Sequence, residues 1–173
     1  MKIAVFSDSH GHTDVMGQAM SKIAAHISAA VHLGDNAADA DGLIKLYGSI
    51  PFYRVAGNCD GFFARGDAPE SLTVELGGVK CFITHGHNYS VKRGYDKLKA
   101  KSAAEGARVC MFGHTHEPDL FRENGVLFVN PGSVSLPRGG FGPSYAVLDI
   151  NGGEIQAAII HKVGAVFKIL YDI

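Results

Sequence analysis

The sequence predicts a four-layer α/β/β/α sandwich, two mixed β-sheets packed face to face with helices outside. From residue 1 to residue 58, short apolar runs alternate with helix-patterned segments, the order of a mostly parallel sheet under helical cover. Beyond that, paired apolar runs flank glycine turns, the order of antiparallel hairpins. Glycine is also abundant, 22 of 173 residues, and concentrates in those turns and at strand ends, where it permits sharp turns and close approach.

The elements follow in order. Residues 2–6 form a buried-type strand, followed by a loop with Asp8 and His10. Thr13 or Asp14 can cap a helix over 13–28, with Val15, Met16, Met20, Ile23, Ala24 and Ile27 as its apolar stripe. Residues 30–33 are a second strand ending in Gly34-Asp35, 38–47 a helix, and 52–56 a strand ending in Gly57-Asn58. Strands at 71–76 and 79–84 flank Gly77-Gly78, a hairpin signal. A helix over 95–105 ends at Gly106, a C-cap glycine, and 109–112 is another buried strand. Residues 120–122 and 126–129 flank Asn124-Gly125, and 145–150 and 154–160 flank Gly152-Gly153. A last strand pattern at 165–171 either covers a sheet edge or pairs with another chain.

Length and the absence of any linker or repeat point to a single domain over residues 1–173. Sixteen Lys and Arg nearly balance 17 Asp and Glu, which argues against an extended nucleic-acid surface but not against a small phosphodiester substrate. Cys59, Cys81 and Cys110 are odd in number and lack metal-type spacing, so no disulfide framework is expected; Cys81 and Cys110 read as small core residues. The first apolar run is too short for a signal peptide, and no run reaches the length of a membrane span. The expectation is a reduced, cytoplasmic protein away from membranes.

Five polar motifs each follow an apolar run: Asp8-Ser9-His10, Gly34-Asp35, Gly57-Asn58, His85-Gly86-His87 and Gly113-His114-Thr115-His116. Binding sites in open sheets form beyond the carboxyl ends of strands, so all five can converge at one edge. Carboxylate and imidazole donors suit Mn²⁺, Fe²⁺, Ni²⁺, Co²⁺ or Zn²⁺. Taken singly, each motif has a plain alternative: Asp8 and His10 as a turn or cap, Asp35 and Asn58 as turn formers. Taken together, they would need five coincidences.

Asp8-x-His10, Gly34-Asp35, Gly57-Asn58, His85 and Gly113-His114-x-His116 resemble the signature of the calcineurin-like metallophosphoesterases, in the family's order and over residues 2 to about 150. The small size, Asn58-Cys59-Asp60 and Asn130-Pro131-Gly132-Ser133 resemble the compact YfcE-type phosphodiesterases. The resemblance implies two divalent ions, Mn²⁺ foremost: Asp8, His10 and His116 on one, Asn58, His85 and His114 on the other, Asp35 bridging. It implies hydrolysis of a P–O ester bond by a metal-bridging hydroxide, with Asp35, Asn58 and His114 in catalytic roles. A small phosphodiester is the expected substrate. The alternative is a non-catalytic metal-binding scaffold, since a retromer subunit resembles the same fold; the full ligand set favours the enzyme.

One departure matters. Many members of the wider family have a histidine after the Gly-Asn pair, thought to protonate the leaving group, and Cys59 stands there instead. A thiol is a weak donor, so substrates whose leaving groups need little protonation are expected. No base and orienting partner stand beside Cys59 to make it a nucleophile. Its place in the motif, with His12, His87 and Arg138, makes it a candidate substrate contact; Asp60 becomes a candidate support for a ligand. His26, His32 and His161 are expected to be packing or surface residues. Phe62-Phe63 is a candidate docking pair or homo-oligomer contact, with core packing as the plain alternative.

Overall fold

The computed structural model describes residues 1–61 and 68–173. The first sheet holds β1 (Lys2–Phe6), β2 (Ala29–His32), β3 (Phe52–Arg54), β9 (Ser144–Asn151), β10 (Glu154–Val163) and β11 (Val166–Asp172), in the order β11-β10-β9-β1-β2-β3. The second holds β4 (Ser71–Leu76), β5 (Val79–Thr84), β6 (Val109–Met111), β7 (Pro118–Glu123) and β8 (Val126–Pro131), in the order β4-β5-β6-β8-β7. β1 runs parallel to β2 and antiparallel to β9, while β5, β6 and β8 run parallel to one another with antiparallel strands at both edges. Both sheets are therefore mixed.

Alternation along each strand builds the layers. Ile3, Val5 and Val31 point inward to meet Cys81, Ile83, Met111 and Val129 of the other sheet, one shared core between the sheets. Their neighbours Ala4, Phe6 and Ala30 point outward, where Met16, Met20 and Leu43 cover them from α1 (Asp14–Ile23) and α2 (Asp41–Leu46). On the far side, Phe82, Cys110 and Phe128 meet Leu98 of α3 (Asp96–Ala104). This is the α/β/β/α order expected, with Cys81 and Cys110 both in the core.

Several boundaries differ from expectation. α1 stops at Ile23 and a single 3₁₀ turn, Ala24–His26, carries the chain on; Thr13 occupies the cap position without a side-chain cap bond. The second helix also opens as a 3₁₀ turn, Ala37–Ala40, because Asn36 before it adopts a left-handed conformation. His161 lies within β10, which extends three residues beyond the apolar run. The terminal strand pairs with β10, with a register shift between Ile159 and Ile160, and becomes the edge of the first sheet. Phe62-Phe63 lies outside the described residues.

Among the described residues no helix is long and apolar enough to cross a membrane. The carboxyl ends of β1 and β2 are tied by Asp8 N–H donating to Gly34 O at 3.1 Å, and those of β5 and β6 by Gly113 N–H donating to His85 O at 2.9 Å. The His85 ring bridges the sheets to Leu33 O at 2.8 Å. That seam carries the polar motifs.

Candidate metal centre

Two donor groups meet at the seam. Asp8, His10, Asp35 and His116 each place a ligand atom within 4.8 Å of the others, and so do Asp35, His85 and His114; Asp35 belongs to both. Four loops far apart in sequence supply them, and the backbone is bent to do so. Asp8, His10, Asp35, His114 and His116 all have positive φ, between 47° and 71°. That region is uncommon for side chains with a Cβ, and its clustering marks conformational strain held in place by surrounding structure.

Two glycines make the crowding feasible. A Cβ on Gly57 would collide with the Asp35 backbone nitrogen and carboxylate, and one on Gly113 with Ser7 Oγ and Asp8 Oδ2. Both positions demand glycine for close approach rather than for a turn.

The hydrogen bonds assign the ring nitrogens. His85 Nδ1 lies 2.8 Å from Leu33 O and His116 Nδ1 2.7 Å from Leu136 O, so each Nδ1 carries the proton and each Nε2 presents a lone pair. His116 Nε2 lies 3.3 Å from His10 Nε2 and His85 Nε2 3.2 Å from His114 Nδ1. Donors about 2.0–2.2 Å from one cation lie roughly 3–3.5 Å apart, which these pairs match. Asp8 Oδ2 accepts from Ser7 Oγ at 2.5 Å and from His114 N–H at 3.1 Å, but its buried Oδ1 has no hydrogen-bond partner. That oxygen faces His116 Nε2 at 3.2 Å. An orphaned buried carboxylate oxygen among converging lone pairs fits a divalent cation in chemistry and spacing.

The electrostatics agree. Burial alone would raise the Asp8 and Asp35 carboxyls, yet the neighbouring imidazoles, His116 and His85 for Asp8 and His85 for Asp35, hold both below the ordinary range. Conversely, burial would lower His85, but Asp35 and Asp8 lift it above its usual value; His116 is lifted by Asp8. Burial, with His85 and Lys92 nearby, pushes His114 down to about 4. The site stabilises both carboxylates and positive charge between them.

The remaining expected residues are placed differently. Asn58 is exposed, and its amide donates to Cys59 Sγ at 3.3 Å. Cys59 is exposed too; its N–H donates to Asp35 Oδ1 at 2.9 Å, and burial with the Asp35 charge pushes its thiol up to about 11. Asp60 supports backbone rather than a ligand side chain, accepting from Ala37 N–H and Gly57 N–H, each at 2.8 Å. The His87 ring stands 5.4 Å from that of His85 and 6.2 Å from that of His114, with its Nδ1 buried and unpartnered. His12 is exposed on the first loop. Arg138 is exposed, and its N–H donates to His116 O at 3.0 Å.

Three supports escaped the sequence reading. His32, expected to be packing or surface, is fully buried and bonded to Ser9 and Gly34. Ser133 and Ser135 both donate to Asp8 O, at 2.7 and 2.9 Å. Asn130 donates to Gly113 O and Thr115 Oγ1, bracing the His114–His116 turn. A histidine inside an otherwise apolar strand was the available signal for the first, because burying a polar group without a hydrogen-bond partner is costly.

A two-sheet sandwich with clustered Asp and His donors at its strand ends defines an α/β protein with a candidate metal centre. The chain belongs to the calcineurin-like phosphoesterase superfamily, whose domain description matches residues 1–153. It is 32% identical over 164 residues to a probable metallophosphoesterase, YsnB, of Bacillus subtilis, covering 95% of this chain and 93% of that one. Over 76 residues, 44% of this chain and 38% of the other, it is 38% identical to the phosphodiesterase YfcE of Escherichia coli. In structure it is similar to Vps29 of Entamoeba histolytica complexed with Zn²⁺, with a TM-score of 0.81 at 19% identity over 100% of this chain and 98% of that one, a likeness of fold.

Proposed function

We propose that this protein is a phosphodiesterase that works with two divalent ions, Mn²⁺ foremost. Asp8, His10 and His116 would hold one ion and His85, His114 and Asn58 the other, Asn58 by turning its amide away from Cys59. The observation that carries the reading is Asp35, whose carboxylate belongs to both donor groups. A two-ion centre supplies charge stabilisation for a phosphate oxygen and a nucleophile from water at neutral pH.

The chain's own residues would do the rest. The Nδ1–H groups of His85 and His116 donate to backbone carbonyls, which keeps both Nε2 lone pairs available to a cation. Beside the His114–His116 turn a cleft of about 450 Å³ opens, lined by Lys92, Tyr95, Thr115, Glu117, Arg138 and Phe141 among others. It has room for the second arm of a diester, with Arg138 and Lys92 near the phosphate and Tyr95 and Phe141 against an apolar portion. His87, whose ring stands beside those of His85 and His114, would meet the ester on the other side through its ring edge rather than its buried Nδ1. Cys59, its thiol held neutral, is a poor proton donor, which favours leaving groups that depart unprotonated.

The test is Mn²⁺-dependent hydrolysis of an aromatic phosphodiester beside its monoester, with His114→Ala as control. Metal-dependent diester turnover, lost in the variant, is the expected result. No turnover with any divalent ion, in a folded chain with bound metal, would favour the alternative, a non-catalytic module on the same fold. That alternative rests on the likeness of fold to Vps29; a scaffold could lose donors without penalty, whereas this chain keeps a converged set of Asp and His, which favours the enzyme.

A further inference from the structure

His32 ends β2 with no exposed surface, and its two ring nitrogens face two different ligand loops. Gly34 N–H donates to Nδ1 at 3.3 Å, so Nδ1 is the acceptor and the proton sits on Nε2. Nε2 lies 3.0 Å from Ser9 Oγ and donates to it. Ser9 Oγ in turn lies 3.4 Å from Asp35 O, to which its hydroxyl hydrogen can go. The chain of donors runs in one direction: Gly34 N–H to His32, His32 to Ser9, Ser9 to the Asp35 carbonyl. Ser9 lies between Asp8 and His10, and Gly34 precedes Asp35. One neutral imidazole thus joins the first ligand loop to the second, both of which hold residues at positive φ.

We infer that His32 is a positioning residue of the metal centre, fixing the Asp8-Ser9-His10 loop against Gly34-Asp35 so that Asp35 stays within reach of both donor groups. The inference rests on the metal-centre reading above. Loops bent into the left-handed region relax unless something holds them, and supports one bond removed from metal ligands typically contribute 10- to 100-fold in metal affinity. Packing alone would be met by any residue of similar shape. A one-way hydrogen-bond chain requires an acceptor toward Gly34 and a donor toward Ser9.

The experiment is Mn²⁺ titration of the full chain by calorimetry, with electron paramagnetic resonance reporting magnetic coupling between bound ions. It compares wild type with Ser9→Ala, His32→Leu, His32→Gln and the Ser9→Ala/His32→Leu double variant. Melting of each metal-free protein separates folding from binding. Ser9→Ala and His32→Leu are expected to weaken Mn²⁺ binding by about 10- to 100-fold and to reduce the coupled signal. The double variant should be no worse than the weaker-binding single one, since both cut the same link. Gln retains a donor at the Nε2 position, so His32→Gln should recover most of the affinity. Equal affinity in wild type, Ser9→Ala and His32→Leu would overturn the role of His32 and leave the metal centre standing. A folded wild type that binds no Mn²⁺ would overturn both. Should His32→Leu fail to fold, Ser9→Ala decides: weakened binding supports the role, wild-type binding overturns it.

Discussion

His10 Nε2 and His116 Nε2 lie 3.3 Å apart although 106 residues separate them in the chain. The His116 Nδ1 proton is directed to Leu136 O, so a lone pair on Nε2 faces the other ring. Asp8 Oδ1 stands 3.2 Å from the same nitrogen. A shared cation reconciles three such donors. Replacing His116 with Ala should weaken binding of one Mn²⁺ ion by more than the ~100-fold upper end for supporting residues. The ion held near His85 and His114 should remain, and calorimetric stoichiometry will distinguish one lost ion from two.

Metal binding should weaken on acidification, and from a higher pH than free histidine would suggest. Despite burial, Asp35 and Asp8 raise the His85 pKa, and Asp8 raises that of His116, above the ordinary 6.5. Each ring must be neutral to bind a cation, so protons compete with metal as pH falls through the raised values. The apparent Mn²⁺ dissociation constant should rise by up to about tenfold per pH unit for each proton displaced. Titrations between pH 8 and 6 check this; a constant that is flat across that range would contradict it.

His32 carries a separate pH signature. Burial, ahead of the opposing charges of Asp8, Asp39 and Asp60, lowers its pKa from 6.5 to about 4. The unfolded chain therefore binds the extra proton between those values while the folded chain does not. The contribution is present in full above pH 6.5 and is lost as pH falls toward 4, on the order of 3 kcal/mol in all. Denaturant unfolding of the metal-free protein should show His32→Gln with a shallower loss of stability over that window than wild type. Parallel pH curves would rule the linkage out.

Cys59 offers a gain-of-function test. Its thiol is pushed up to about 11 and remains protonated at neutral pH, and its N–H already serves Asp35. General acids contribute roughly 10²–10⁴-fold where a leaving group needs a proton. Cys59→His should accelerate diesters with alkoxide leaving groups and leave aryl diesters near the wild-type rate. The ratio of the two rates is the measurement, and an unchanged ratio would count against the idea.

The layers and the clustered Asp and His donors were legible because both have strong local signals. Alternation at Ile3, Ala4, Val5 and Phe6 assigns two faces to one strand. Asp8, Asp35, His85, His114 and His116 each stand just past a strand. What was not legible depends on contacts between distant segments. The bonds from Ser133 and Ser135 to Asp8 O span 125 and 127 residues; the Asn130-Pro131-Gly132-Ser133 motif marks the segment, but nothing local names its partner. The early end of α1 and the 3₁₀ opening before α2 arise where tertiary placement overrides helix propensity. Close approach at strand-end glycines was expected in general, but which atoms crowd Gly57 and Gly113 is set by distant segments, Asp35 for one and Ser7 with Asp8 for the other.

The most direct measurement is a crystal structure of the Mn²⁺-loaded protein with anomalous scattering at the manganese edge. Two peaks about 3.5–4 Å apart, one beside Asp8, His10 and His116, the other beside His85 and His114, and both on Asp35, are the predicted result. A single peak, or two that do not share Asp35, would contradict the two-ion centre on which the proposed phosphodiesterase depends.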